Sequence, residues 1–105
     1  MKIMIYIAGK ITDSTLLKER QNKKRFFKKA TELQKQEFEV YNPVKNDIPD
    51  QNYEHYLIKD FLWIVKNKPD MYFLKGWETS NGAKLENELA KQLKLKIIYE
   101  TRRIK

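Results

Sequence analysis

Four short apolar runs alternate with three longer stretches of helical periodicity along this chain of 105 residues. The first run covers residues 2–7 and is continuously apolar from Ile3 onward, as strands covered on both faces are. The other runs lie at residues 37–41, 71–74 and 96–100. This order predicts an α/β fold with a parallel four-stranded sheet and helices on both faces. Right-handed crossovers favour a flavodoxin-like three-layer sandwich with strand order 2-1-3-4.

The helical patterns are strongest over residues 20–36, 53–67 and 80–93. Asp13 or Ser14 is placed to cap the first helix. The expected buried faces follow from apolar residues at helical spacing: Phe26, Ala30 and Leu33 with Phe27 beside them; Tyr53, Leu57, Phe61 and Ile64; and Leu85, Leu89 and Leu93 with Gly82 on the same line. Residues 44–52 form a polar loop with Pro49, a candidate mobile flap over a site.

Two loops carry groups suited to ligand binding, because ligands of open α/β sheets bind beyond the carboxyl ends of the strands. One loop follows the first strand, and the other begins the third helix, whose amide groups point at anions. The candidate substrate-binding residues are Ala8, Gly9, Lys10, Ser80, Asn81 and Gly82. Gly9 allows the backbone to turn and a ligand to approach. The first loop lacks the spacing of a nucleoside-triphosphate-binding loop, which excludes that class.

Two carboxylates, Asp60 and Glu86, lie about 60° from the centres of their apolar stripes. We expect carboxylates at such shoulder positions to be half-buried and aimed at the sheet end. Structural roles remain as alternatives: Glu86 as an early-helix acid favoured by the helix dipole, and Asp60 as a surface residue paired with Lys59 or Lys66. His55 is a weaker candidate, either a site residue or an exposed or capping residue.

Composition excludes several classes of site and protein. The chain has no cysteine, so disulfides and thiolate metal ligands are excluded, and its single histidine disfavours a histidine metal site or a Ser-His-Asp triad. We therefore expect no metal and no cofactor. No apolar run approaches the roughly 20 residues of a membrane span. Because the chain starts directly in a strand pattern without a signal peptide, we expect a cytoplasmic protein with no membrane partner.

The net charge of +8 predicts attraction to phosphate but no specificity. Basic residues are concentrated in residues 18–29 and at Arg102, Arg103 and Lys105. Three interpretations stay open: a nucleic-acid partner, a small phosphorylated ligand, or a solvated helix face with a basic tail.

Three stretches in this order carry a family resemblance. Tyr6-Ile7-Ala8-Gly9 ends the first strand, Asp60-Phe61-Leu62-Trp63 lies on the second helix, and GWETSNGAKLENELA covers residues 76–90. Together they resemble the nucleoside 2-deoxyribosyltransferase superfamily, closest to a small, mostly phage and bacterial branch of unassigned function. The 2'-deoxynucleoside 5'-monophosphate N-glycosidases are similar in layout. The resemblance covers nearly the whole chain and implies a single domain of this type over residues 1–105.

The resemblance implies a role for each motif. Glu86 matches the glutamate that attacks the anomeric carbon of deoxyribose, Asp60 the aspartate that helps protonate the departing base, and Tyr6 the tyrosine that holds the nucleophile. Ser80 matches a serine that contacts phosphate in the monophosphate hydrolases, which favours a 5'-monophosphate. Cleavage of a glycosidic bond by two carboxyl groups in different environments agrees with the two shoulder carboxylates.

The sequence therefore predicts an enzyme that cleaves or transfers at the N-glycosidic bond of a 2'-deoxynucleoside or its 5'-monophosphate. The alternatives are a non-catalytic nucleotide-sensing domain and a basic nucleic-acid-associated protein. We also expect a homodimer. Trp63 and Trp77 either pack across its interface or form ordinary core or cleft walls.

Overall fold

A computed structural model describes residues 2–46 and 53–101, and the side chains of all of these except residues 45–46 and 53–56. Strands and helices alternate as expected. Their order is β1 (Met4–Ala8), α1 (Leu16–Lys35), β2 (Glu39–Tyr41), α2 (Tyr53–Asn67), β3 (Asp70–Phe73), α3 (Asn81–Gln92) and β4 (Ile97–Tyr99). Short 3₁₀ helices cover Pro43–Asn46 and Trp77–Thr79.

The four strands form one parallel sheet in the order β2-β1-β3-β4. This confirms the predicted flavodoxin-like α/β sandwich and its strand order. β1 lies between β2 and β3, with Ile5 opposite both Val40 and Asp70. The chain leaves β1 toward β2 on one side and later returns to β3 on the other. That reversal creates a crevice beyond the carboxyl end of β1, where ligands of such sheets bind.

Side chains alternate along β1 and so divide the core into two halves. Ile5 and Ile7 face α1 and pack with its buried stripe, while Tyr6 and Ala8 face α2 and α3. The α1 half contains Ile5, Ile7, Phe26, Ala30, Leu33, Val44 and Leu74. The other half contains Tyr6, Ala8, Ile64, Met71, Phe73 and Ala90. The alternation therefore places the Tyr6 side chain on the same face as the two helices that carry the candidate carboxylates.

The start of α1 differs from the prediction. The cap is Thr15, whose Oγ1 accepts a hydrogen bond from the Lys18 amide at 3.1 Å, so the expectation of Asp13 or Ser14 was wrong. Asp13 is used in the loop instead, where its carboxylate accepts from the Ser14 amide at 2.8 Å and from Asn22 Nδ2 at 3.2 Å. The expected stripe of Phe26, Ala30 and Leu33 is buried.

The buried face of α3 also differs from the prediction. Its buried residues are Ala83, Glu86, Asn87 and Ala90, whereas Leu85 is 46% exposed. The short alanine side chains allow α3 to approach the sheet closely, and Leu89 and Leu93 pack at the edge of the core. Because hydrophobic periodicity weights the large leucines, it placed the centre of the stripe too far from Glu86. Glu86 is thus buried rather than half-buried.

Two loops depart from the predicted boundaries. Ala8 ends β1 rather than beginning the next loop, and β2 is shorter than expected because Glu37 has a left-handed φ of 71° after α1. Part of the polar loop at residues 44–52 is a 3₁₀ helix, Pro43–Asn46. Pro49 and the proposed flap over residues 47–52 lie outside the described residues. None of the helices in the described ranges is long and apolar enough to cross a membrane.

Candidate active site

A cleft of about 320 Å³ opens at the carboxyl end of β1. Tyr6 and Ala8 reach it from the strand, Asp60 from α2, and Ser80 and Glu86 from the start of α3 and its second turn. Here the order of the parallel strands reverses, with β2 on one side of β1 and β3 on the other, so the fold places the cleft where a ligand site is expected.

Glu86 is the most buried carboxylate of the cleft, with 7% of its surface exposed. The hydroxyl of the fully buried Tyr6 donates a hydrogen bond to its Oε2. A carboxylate in this environment is costly unless it is paired or protonated. The solvated early-helix acid considered above as the alternative role therefore does not fit Glu86.

Asp60 is half-buried and approaches the same hydroxyl group. Its Oδ1 accepts a hydrogen bond from the Tyr41 hydroxyl at 3.4 Å, and the Tyr6 hydroxyl lies close enough to lower its pKa. Beneath these groups, the Tyr41 ring lies 5.3 Å from the Tyr6 ring and 4.1 Å from the Trp63 ring, measured between centroids. The aromatic rings replace water on one side of both carboxylates.

Burial raises the pKa of both carboxyl groups. The pKa of Glu86 rises from 4.5 to about 8 because the group is desolvated; the Tyr6 hydrogen bond opposes the rise and the charge of Asp60 adds to it. Desolvation raises the pKa of Asp60 from 3.8 to about 6, against the hydrogen bonds from Tyr6 and Tyr41 and the charge of Lys59. Burial, and then the charge of Glu86, hold the pKa of Tyr6 well above 10. At neutral pH the carboxyl pair therefore holds one proton.

Comparison with known protein families assigns the chain to a family. A family model described as a domain of unknown function, DUF4406, matches residues 3–99. The chain belongs to the DUF4406 family. No curated protein and no solved structure matches it. The residues of the cleft are therefore the main guide to the function of this DUF4406 domain.

The start of α3 contributes a polar edge to the DUF4406 cleft. Ser80 caps the helix, since its Oγ accepts from the Ala83 amide at 3.2 Å, and its own hydroxyl hydrogen remains able to donate to a ligand. Ser80, Gly82 and Ala83 all line the cleft. Free amide groups and the helix dipole at this position favour an anionic group.

Gly9 lines the cleft for a reason that the sequence did not predict. A Cβ at this position would lie 3.1 Å from Leu74 Cβ and 3.2 Å from Phe26 Cζ. The absent side chain therefore permits close packing of the loop on the α1 half of the core, in addition to any approach by a ligand.

Most of the predicted site residues of the DUF4406 domain come together. Tyr6, Asp60 and Glu86 meet in one cleft, and the candidate binding residues among its lining are Ala8, Gly9, Ser80 and Gly82. Lys10 and Asn81 are not among the lining residues. Lys10 instead pairs with Asp13 at 3.7 Å, and Asn81 is exposed on the first turn of α3. The side chain of His55 lies outside those described. The functional roles of all these residues remain predictions.

The sequence missed the wall of the cleft that α1 supplies. Glu19, Lys23 and Phe26 line it, together with Ile11 and Val44. Within a run of lysines and arginines, Lys23 is indistinguishable from a solvated residue. Its spacing of three from the buried Phe26 is the one signal that places it near the core side of the helix.

Both tryptophans pack against other aromatic rings of the domain. Trp63 packs on Tyr6 and Tyr41, and Trp77 lies 5.1 Å from Phe73 between ring centroids, which favours core or cleft walls over a dimer interface for both. The homodimer itself stays a prediction.

Among the described residues, no group of three or more His, Cys, Asp or Glu side chains is placed to hold a metal ion.

Proposed function

We propose that this DUF4406 domain breaks the N-glycosidic bond of a 2'-deoxynucleoside 5'-monophosphate, by hydrolysis or by transfer of the sugar to a second base. The observation that carries the proposal is the burial of Glu86 near Asp60, with the Tyr6 hydroxyl donating a hydrogen bond to Glu86 and acting on the pKa of both carboxyl groups. Glycosidic cleavage requires one carboxylate that can bond to the anomeric carbon and one carboxylic acid that can protonate the leaving group.

The reaction proceeds in two steps. In the first, a carboxylate oxygen of Glu86 bonds to C1' as the C1'–N bond breaks; the electron pair of that bond goes to the base, which takes the proton of Asp60. In the second, water bonds to C1', the Glu86 carboxylate leaves, and the water proton returns to Asp60. The products are the free base and 2-deoxyribose 5-phosphate. A second base in place of water gives transfer.

The position of the shared proton is set by Tyr6. In the empty cleft the higher pKa places the proton on Glu86, whereas attack on C1' requires it on Asp60. Because the Tyr6 hydroxyl is hydrogen-bonded to Glu86 and acts on the pKa of Asp60 as well, it can accept a proton from one carboxyl group as it donates its own proton to the other. Positive charge that develops on the sugar favours the ionised form of Glu86 and drives the proton in the same direction.

The preference for a monophosphate is supported by the start of α3 and by charge. Ser80 and the first amide groups of α3 face the same cleft as the carboxylates. A 5'-phosphate on these groups would hold the sugar at a fixed distance from Glu86, and the net charge of +8 favours the approach of an anion.

The test is an assay of base release. Purified protein is incubated with each common deoxynucleoside and each deoxynucleoside 5'-monophosphate, with and without a second free base, and the products are separated by chromatography. Release of free base from a monophosphate is expected, and a new nucleotide containing the added base identifies transfer. Nucleotide binding without release of free base from any substrate would contradict the proposed enzyme activity and favour a nucleotide-sensing domain.

The nucleic-acid alternative has less support from the described residues. Of the basic residues of α1, Arg25 lies 3.5 Å from Glu100, and Lys29 lies 2.7 Å from Glu32 and 3.7 Å from Glu100. Lys23 lines the cleft. Part of the basic cluster is thus used inside the domain rather than presented as one surface. Affinity for nucleic acid that falls steeply with salt would favour this alternative.

A further inference from the structure

The α1 wall of the cleft lies opposite the carboxylates. Asp60 and Glu86 come from the two helices on one face of the sheet, whereas Glu19, Lys23 and Phe26 come from α1 on the other face. The cleft therefore straddles the end of β1. A ligand whose reacting bond lies at Glu86 has one end within reach of α1.

The chemistry of this wall is that of a slot for a flat, neutral, polar group. Ile11, Phe26 and Val44 supply apolar surface. Glu19 and Lys23 are four positions apart on α1, so one anion and one cation project from neighbouring turns of the same face. Among the described lining residues, Lys23 is the single cation.

The wall is held in place by hydrogen bonds. Glu19 Oε2 accepts from the Asp13 amide at 3.0 Å, and Asn22 Nδ2 donates to the carbonyl oxygen of Ile11 at 3.2 Å. These contacts fix the loop after β1 against α1 before any ligand binds. Such preorganisation reduces the entropic cost of recognition.

The charges of the wall distinguish between the two polar ends of a nucleotide. Glu19 disfavours a phosphate at this wall by like-charge repulsion. The phosphate of a bound nucleotide can instead bind at the start of α3. A nucleobase fits, since its faces are apolar and its edge carries both hydrogen-bond donors and acceptors. We propose that Glu19 and Lys23 bind the polar edge of the nucleobase and determine base specificity. The inference rests on the proposed function for its class of ligand.

The experiment measures dissociation constants by calorimetry in the Glu86→Gln background, so that bound nucleotide is not consumed. The ligands are the four common deoxynucleoside 5'-monophosphates and 2-deoxyribose 5-phosphate, which has no base. Lys23→Met and Glu19→Gln are compared with Lys24→Met, a matched control at an exposed neighbouring position outside the cleft. Glu19→Gln keeps an oxygen that can accept from the Asp13 amide.

Lys23→Met and Glu19→Gln are each expected to weaken binding of the preferred nucleotide about tenfold, and to reduce the spread of affinities among the four bases. Binding of 2-deoxyribose 5-phosphate should change less than twofold. Equal weakening of all four nucleotides and of the sugar phosphate would assign Lys23 to the phosphate and overturn the inference. Unchanged affinities would overturn it as well. Failure of base release by the unmodified protein would instead count against the proposed reaction.

Discussion

The hydroxyl of Tyr6 donates a hydrogen bond to Glu86 Oε2 across 80 positions of sequence. Tyr6 lies on the central strand β1 and Glu86 on α3, and both are buried. Burial raises the pKa of the Glu86 carboxyl group, and the hydrogen bond from Tyr6 gives that group one defined partner. Together with Asp60, this contact supplies the paired carboxyl groups on which the proposed glycosidic cleavage depends.

The rate of base release should have a bell-shaped dependence on pH. The active form holds one proton on the carboxyl pair, whose pKa values are about 6 for Asp60 and about 8 for Glu86. Below about pH 6 both groups are protonated and the nucleophile is lost; above about pH 8 both are ionised and the acid is lost. Measurement of kcat/KM from pH 4.5 to 9.5 checks this. A rate that rises steadily to pH 9.5 would contradict the shared proton.

Tyr6→Phe should slow base release at least tenfold and move both limbs of the pH profile upward. The Tyr6 hydroxyl lowers the pKa of Glu86 and of Asp60, so its removal raises both values. A purely structural role for Tyr6 would reduce activity without displacing the limbs. Tyr72→Phe provides a control, since Tyr72 lies on β3 and faces α1 rather than the carboxylates.

Glu86→Gln should remove much of the loss of stability that the protein shows as pH rises. The folded-state pKa of Glu86 is raised from 4.5 to about 8, so the folded state favours its protonated form. Its contribution to stability is complete below about pH 4.5 and is lost as pH rises toward about 8. The variant escapes this loss, which is on the order of 5 kcal/mol.

Denaturant unfolding at pH 5 and at pH 9 measures this effect. The free energy of unfolding of the variant, relative to that of the unmodified protein, should be higher at pH 9 than at pH 5. Any destabilisation caused by the buried amide itself is the same at both pH values and does not affect this comparison. Glu88→Gln changes an exposed neighbour on the same helix and should show no such trend. Parallel pH dependence of Glu86→Gln and the unmodified protein would contradict the raised pKa.

Gly9→Ala should lower the free energy of unfolding by about 1–3 kcal/mol, because the new Cβ crowds Leu74 and Phe26. Gly76→Ala is the comparison. A Cβ at Gly76 meets open space, so any loss of stability there comes from its φ of 90° and not from crowding. A stable Gly9→Ala variant in thermal unfolding would show that the loop after β1 packs less tightly than described.

The sequence predicted the sheet order because alternating strands and helices leave few arrangements with right-handed crossovers. The resemblance placed Tyr6, Asp60 and Glu86 together, as the fold does. The burial of Glu86 was underestimated because the packing of α3 depends on Ala83 and Ala90, which carry little weight in hydrophobic periodicity. Lys23 was missed because composition does not distinguish one lysine of a basic helix from its solvated neighbours.

The N-cap of α1 shows a second limit of prediction from the sequence. Asp13, Ser14 and Thr15 are all good capping residues, and local propensity does not choose between them. Asn22, in the second turn of α1, binds Asp13 and holds it in the loop, and Thr15 caps the helix. Contacts of this kind become visible only when the loop and the helix are seen together.

Base release by the unmodified protein, Glu86→Gln and Glu88→Gln tests the central proposal most directly. All three are incubated at pH 7 with the deoxynucleoside 5'-monophosphate that the substrate screen identifies, and free base is measured by chromatography. The unmodified protein and Glu88→Gln should release base at similar rates, whereas Glu86→Gln should release none above background while still binding the nucleotide. Base release by Glu86→Gln at an undiminished rate would show that Glu86 is not the nucleophile.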